Sequence, residues 1–97
     1  MDVSIVVTVL NEEGSVDELY RRIAASLEGR EWEAIFVDDG STDGTFAALS
    51  ALHDHDPRVR VVRFKRNFGQ HPAMHAGLVR ARGARIVTMD VDLQNEP

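Results

Sequence analysis

Apolar residues along this chain fall into short unbroken runs separated by stretches of helical spacing. Val3 to Val9, Ala34 to Val37, Val59 to Phe64 and Ile86 to Met89 are rich in β-branched residues and continuous rather than alternating. Continuous runs of this length suit strands covered on both faces. Between the first two runs, Val16, Leu19, Tyr20, Ile23 and Leu27 recur at helical intervals. Ser15 with Glu18 reads as a capping box ahead of them, and Gly29 as their stop. The second interval carries Phe46, Leu49 and Leu52, with Asp43 or Thr42 as its cap. The third begins near Pro72, carries Met74, Leu78 and Ala81, and ends at Gly83. The order is therefore βαβαβαβ. Right-handed crossovers make that a parallel α/β sheet, Rossmann-like, of order 3-2-1-4 with helices on both faces.

Composition narrows the class. At 97 residues the chain holds one domain with a core of its own, and 43% apolar with 28% charged residues is ordinary for a folded chain. Sixteen acidic residues against eleven basic leave a net charge of −5, which excludes a nucleic-acid footprint; the basic residues cluster only at Arg60, Arg63, Lys65 and Arg66. Without cysteine there is neither a disulfide framework nor a thiolate metal site, and a reducing, cytoplasmic setting is expected. The apolar run from Val3 to Leu10 has no basic stretch before it and is far short of the roughly 20 residues a bilayer span needs, so it reads as neither a signal nor a membrane segment.

In an open parallel sheet, ligands bind beyond the carboxyl ends of the strands. Polar residues of this chain gather there: Asn11 and Glu12 after the first run, Asp38 and Asp39 after the second, Arg66, Asn67 and Gln70 after the third, and Asp90, Asp92 and Gln94 after the fourth. The opposite edge offers Arg30, Glu31, Asp56, Arg58 and Arg85, read as a mixed solvated set. Asp38 and Asp39 lead into Gly40-Ser41-Thr42-Asp43-Gly44, so they either cap and turn the chain or accept N–H and O–H donors of a base or ribose. Asp90-Val91-Asp92 places two carboxylates two positions apart where a strand runs into a loop, an arrangement suited to Mg²⁺ or Mn²⁺ shared with phosphate oxygens. Taken alone, that motif is also common on plain loops.

His71 and His75 share helical spacing, but no third ligand accompanies them for zinc, and His53 with His55 reads as a solvated helix end. Phe64 to Gly69 either grips a diphosphate or is a basic loop with Phe68 plugging the core. No phosphate-binding glycine loop of the P-loop or dinucleotide kind follows the first strand, where Asn11-Glu12-Glu13-Gly14 stands. A phosphoaspartate phosphatase would carry its aspartate pair after the first strand rather than the last, and a small hydroxyl residue where Leu93 and Gln94 stand.

Three ordered motifs then resemble the N-terminal part of family 2 glycosyltransferases of the GT-A fold: Ser4 to Glu13, Val37-Asp38-Asp39-Gly40-Ser41-Thr42-Asp43-Gly44-Thr45, and Met89-Asp90-Val91-Asp92-Leu93-Gln94. Arg66-Asn67-Phe68-Gly69-Gln70-His71 is similar to the branch that uses polyprenyl phosphates, of the dolichol-phosphate mannose synthase and undecaprenyl-phosphate sugar transferase type. The resemblance implies metal-dependent, inverting transfer of a sugar from a nucleotide-diphosphate sugar to a lipid-linked phosphate. Residues 1–97 would be the nucleotide-sugar-binding part of a truncated GT-A domain, inactive alone, at the cytoplasmic face of the membrane. It implies nucleoside contacts from Thr8, Leu10, Asn11, Glu12, Asp38 and Asp39, and metal ligation by Asp90, Asp92 and Gln94, with Asp90 and Asp92 catalytic through that metal. Arg66, Asn67 and Gln70 would meet phosphate or acceptor. Thr8 replaces a usual proline and Leu10 a usual aromatic. A non-catalytic nucleotide-binding module using the same crevice is the rival, and an assembly piece pairing with a second copy through an open sheet edge is a third reading.

Overall fold

A computed structural model describes residues 1–90, apart from the Asp90 side chain. Strands β1 (Val3–Val9), β2 (Trp32–Asp38), β3 (Val59–Arg63) and β4 (Arg85–Asp90) alternate with helices α1 (Val16–Ser26), α2 (Thr45–His55) and α3 (Gln70–Leu78). All strand pairs are parallel, in the order β3-β2-β1-β4. The register runs Val3 against Trp32 through Val9 against Asp38, while Thr8 faces Asp90 and Asp38 faces Arg63. Strand ends therefore line up, and β1, β2 and β4 end at one edge.

Every residue of β1 and β2 is buried, as the unbroken apolar runs predict, but β3 is only partly buried and Ile86 and Val87 of β4 are exposed, because these two strands form the edges of the sheet. Alternate side chains serve opposite layers. Ile5, Val7, Ala34 and Phe36 pack with Val16, Ile23, Leu49 and Leu52 under α1 and α2, whereas Val6, Ile35 and Val37 meet Ala73 of α3. Gly77 lets α3 approach that closely, since a Cβ there would lie 2.3 Å from a Val6 methyl.

Several boundaries differ from the sequence expectation. Ser15 precedes α1 but has helical angles and caps nothing; its hydroxyl lies 3.4 Å from Glu12, and Glu18 pairs with Arg22 at 2.7 Å instead of closing a capping box. Thr45 N–H donates to Asp43 at 2.9 Å, so Asp43 supplies the cap of α2 from one residue before its Gly44 boundary. Helix α3 starts two residues before Pro72 and ends at Leu78, short of Ala81 and Gly83. Its continuation is drawn away by a buried carboxylate. The backbone N–H of Arg82 donates to Glu33 at 2.8 Å and that of Gly83 to the Ser4 hydroxyl at 2.7 Å, which turns the chain into β4. Position 83 must be glycine for this approach, because a Cβ would sit 2.6 Å from the Ser4 nitrogen.

Strand β2 begins at Trp32 rather than Ala34, because Trp32 and Glu33 pair with Val3 and Ser4 of β1, and the sheet thereby takes in Glu33. It is 1% exposed, yet it accepts hydrogen bonds from Ser4 (2.6 Å), Arg60 (2.8 Å) and Arg82 (3.1 Å through the guanidinium). Burial alone would raise its pKa, but the bonds from Ser4, the Arg82 backbone and the two guanidinium groups outweigh it and hold the carboxyl at about 2. The edge read as solvated is thus partly a buried polar network. Asp56 belongs to a second one, 6% exposed, bonded to the Tyr20 hydroxyl at 2.6 Å and to Arg58, which stacks over Trp32. Arg58 holds Asp56 well below the usual carboxylate range, and the Asp56 bond raises Tyr20.

Candidate functional site

The loop after β1 is sewn onto the turn after β2. Asn11 takes a positive φ of 52°, a conformation asparagine tolerates better than most residues, and its side-chain oxygen accepts from Thr42 N–H at 2.8 Å. Asn11 N–H in turn donates to Ser41 Oγ at 2.8 Å, Glu12 N–H to Thr45 Oγ1 at 2.9 Å, and Gly44 N–H to Glu13 at 2.8 Å. Asn11 therefore acts as a brace here. The hydroxyls of Ser41 and Thr45 and the Glu13 carboxylate were not singled out from the sequence, although the Ser-Thr-Asp-Gly-Thr turn held the signal. Thr45 also holds Asp43 below its ordinary pKa, by a hydroxyl bond first and a backbone bond beside it.

Both aspartates of the pair are buried, and they differ. Asp38 accepts one bond, from Ser41 N–H at 2.9 Å, while its Oδ2 is enclosed with no partner among the described residues. An unsatisfied buried oxygen costs about 1–3 kcal/mol, so this atom calls for a donor. Asp39 receives Phe68 N–H at 2.8 Å, Gly69 N–H at 3.1 Å and the Asn67 amide at 3.2 Å. It latches the β3–α3 loop onto the end of β2. Asn67 is thus tied to Asp39, whereas Arg66 is exposed and stacks 4.8 Å from the Phe68 ring. Phe68 itself is 50% exposed, edge-on to Phe64, and does not plug the core.

The remaining residues fall as follows. Thr8 is buried at the end of β1 beside the Asp90 backbone, Leu10 is exposed, Glu12 is largely covered and Gln70 opens α3. Asp92 and Gln94 lie outside the described residues. Among the described residues, no group of three His, Cys, Asp or Glu side chains is placed to hold a metal, and no helix is long and apolar enough to cross a membrane.

Gly40 is the hinge of this arrangement. Its φ is 82°, and a Cβ would stand 2.2 Å from the Arg66 carbonyl carbon. Gly40→Ala should cost at least about 2 kcal/mol, from the left-handed backbone plus a clash with main chain that cannot swing aside. Gly14, where a Cβ meets nothing within 4 Å, is the control. Urea unfolding of both variants is the check, and equal midpoints would refute the close-approach account.

With this geometry in hand, similarity to known proteins becomes informative. The family model for glycosyl transferase family 2 matches residues 4–97. Over 100 residues the chain is 47% identical to a dodecaprenyl-phosphate galacturonate synthase of Rhizobium johnstonii, covering 100% of this chain and 30% of that protein. It is 48% identical over 98 residues to an undecaprenyl-phosphate 4-deoxy-4-formamido-L-arabinose transferase of Pseudomonas aeruginosa, covering 98% of this chain and 29% of that protein. The chain thus spans less than a third of the length of these relatives. Among solved structures, the mannosyltransferase PcManGT from Pyrobaculum calidifontis in complex with GDP-Man and Mn2+ superposes with a TM-score of 0.79 at 26% identity, over 91% of this chain and 26% of that one. The α/β sheet of order 3-2-1-4 matches the expected one, and the structural neighbours are GT-A glycosyltransferases. Matched along nearly its whole length, the chain belongs to glycosyl transferase family 2.

Proposed function

We propose that residues 1–97 supply the donor-nucleotide and metal part of a glycosyltransferase that moves a sugar from a nucleotide-diphosphate sugar to a polyprenyl phosphate at the cytoplasmic face of a membrane. The observation that carries the donor half is Asp38, fully buried at the end of β2 with an oxygen that lacks a donor among the described residues. The acceptor half is supported by the two relatives named as polyprenyl-phosphate enzymes.

On this reading Asp38 and Asp39 accept N–H and O–H donors of the nucleoside, and Glu12 closes the same wall. A carboxylate has several acceptor positions, so Asp39 can hold the loop and still meet a ligand. Thr8, Leu10 and Asn11 line the approach. Asp90, Asp92 and Gln94 form an oxygen-only donor set, the kind Mn²⁺ and Mg²⁺ prefer. When bound, such an ion neutralises charge on the departing diphosphate. An acceptor phosphate oxygen attacks the anomeric carbon as the bond to the nucleoside diphosphate breaks, with inversion; that oxygen is already anionic, so no strong base is needed. Arg66, Asn67 and Gln70 meet phosphate of the donor or of the lipid-borne acceptor.

Asp90, Asp92 and Gln94 fill too little of an octahedral shell to bind metal well without phosphate oxygens. Mn²⁺ and nucleotide should therefore each tighten the other by the same factor. Titration calorimetry of the full-length protein with uridine and guanosine diphosphates, with and without Mn²⁺, reads this directly. Equal affinity in Mn²⁺ and in EDTA would remove the metal from the reading. Metal-coupled nucleotide binding without transfer to a polyprenyl phosphate would leave a binding module.

A further inference from the structure

Charge is sharply segregated along this chain. Residues 1–56 carry thirteen acidic and three basic side chains, whereas residues 57–89 carry eight basic and no acidic ones. The fold consumes several of those cations internally. Arg58 pairs with Asp56, Arg60 and Arg82 with Glu33, and the Arg80 guanidinium donates to the Ala76 carbonyl. Among the described residues, Arg85 at the opposite edge has no carboxylate partner, and neither do the three cations Arg63, Lys65 and Arg66. All three are exposed, within four positions of one another, where β3 hands over to α3.

In the same loop stands Phe68, half exposed, its ring held between Phe64 at 5.5 Å and the Arg66 guanidinium at 4.8 Å. Its backbone is not free to fold the ring inward. Phe68 and Gly69 N–H groups are both fixed on Asp39, and Gly40 packs against the Arg66–Asn67 backbone. An aromatic ring held out of the core beside cations that have no carboxylate partner among the described residues is poorly matched to water and well matched to an interface with anionic headgroups and apolar tails.

We propose that the Phe64–Gln70 loop seats on an anionic bilayer surface, with Lys65 and Arg66 at the headgroups and Phe68 entering the acyl boundary. This rests on the polyprenyl-phosphate reading for the side of the molecule that meets a membrane, since a lipid-borne acceptor brings the strand-end edge to the bilayer. Each cation near such a surface strengthens association roughly fivefold. Lys65→Glu, which removes an attraction and adds a repulsion, should weaken loop contact roughly twentyfold.

The test uses the full-length protein carrying one cysteine labelled with a fluorophore, either His71→Cys beside the loop or Glu28→Cys at the opposite edge. Vesicles contain nitroxide-labelled lipid in phosphatidylcholine alone or in equal parts phosphatidylcholine and phosphatidylglycerol. Strong quenching at position 71 that requires phosphatidylglycerol, is lost with Lys65→Glu or Phe68→Ser, and is absent at position 28 is the expected result. Quenching at 71 no greater than at 28, or indifferent to phosphatidylglycerol, would overturn the proposal. So would a label at 71 shielded from both lipid nitroxide and aqueous iodide, because another part of the protein then covers the loop. Sugar transfer measured on the same vesicles separates the two ideas. Transfer without quenching removes only the membrane contact, and quenching without transfer removes only the transferase reading.

Discussion

Replacing Glu33 by alanine is expected to lower folding stability by about 3 kcal/mol, the low end for breaking a buried ion pair. The low end applies because Arg82 is 63% exposed and Arg60 32%, so both guanidinium groups can turn to water once the carboxylate is gone. The Ser4 hydroxyl and the Arg82 N–H are less fortunate, being part of the sheet and of the link into β4. Urea unfolding at neutral pH measures the loss, and a shift under about 1 kcal/mol would show the network to be dispensable. The same group makes a pH prediction. Its folded pKa is depressed from 4.5 to about 2, so its contribution is fully present above pH 4.5 and is lost as pH falls from there through 2. That amounts to about 3 kcal/mol over the interval. Glu33→Gln should flatten this acid limb by that amount while leaving the contribution of Asp56, depressed by Arg58, in place.

Asp92→Asn in the full-length protein is expected to reduce sugar transfer by at least about a hundredfold, with folding stability unchanged within about 0.5 kcal/mol. An amide keeps the size and one oxygen but removes the charge that a hard divalent cation needs most. Raising Mn²⁺ should recover part of the rate, since the defect is in holding the ion. Initial rates over a Mn²⁺ series, alongside a urea curve, give both readouts. Retention of more than about a tenth of the wild-type rate at low Mn²⁺ would take Asp92 out of the metal site. Asp90→Asn is the informative companion, because Asp90 ends β4 opposite Thr8 and Met89 before it is held in register with Val7.

Sheet order and the helix layers were legible in the residues alone. Val3 to Val9 is too continuous for a half-exposed strand, and the intervals between strands are long enough only for a crossover helix, whose handedness physics restricts. Placement of Asn11, Asp38 and Asp90 at one edge follows from the same reasoning, because Asp38 and Asp90 end parallel strands and Asn11 lies two residues past the end of β1.

What the residues did not disclose is which polar groups face each other. Glu33 stands just before the apolar run at Ala34 and drew no reading, yet it joins Ser4, Arg60 and Arg82, separated from it by 29, 27 and 49 positions. Asp56 looked solvated until Tyr20, 36 positions away, closed over it. Asp39 looked like a ligand contact and proves first to be the anchor of a loop some 30 positions on. Local periodicity reports which face of an element is apolar, because that depends on neighbours three, four or two positions away. A buried carboxylate is tolerated only where donors from distant segments converge on it, and that convergence exists only once the sheet has brought those segments together.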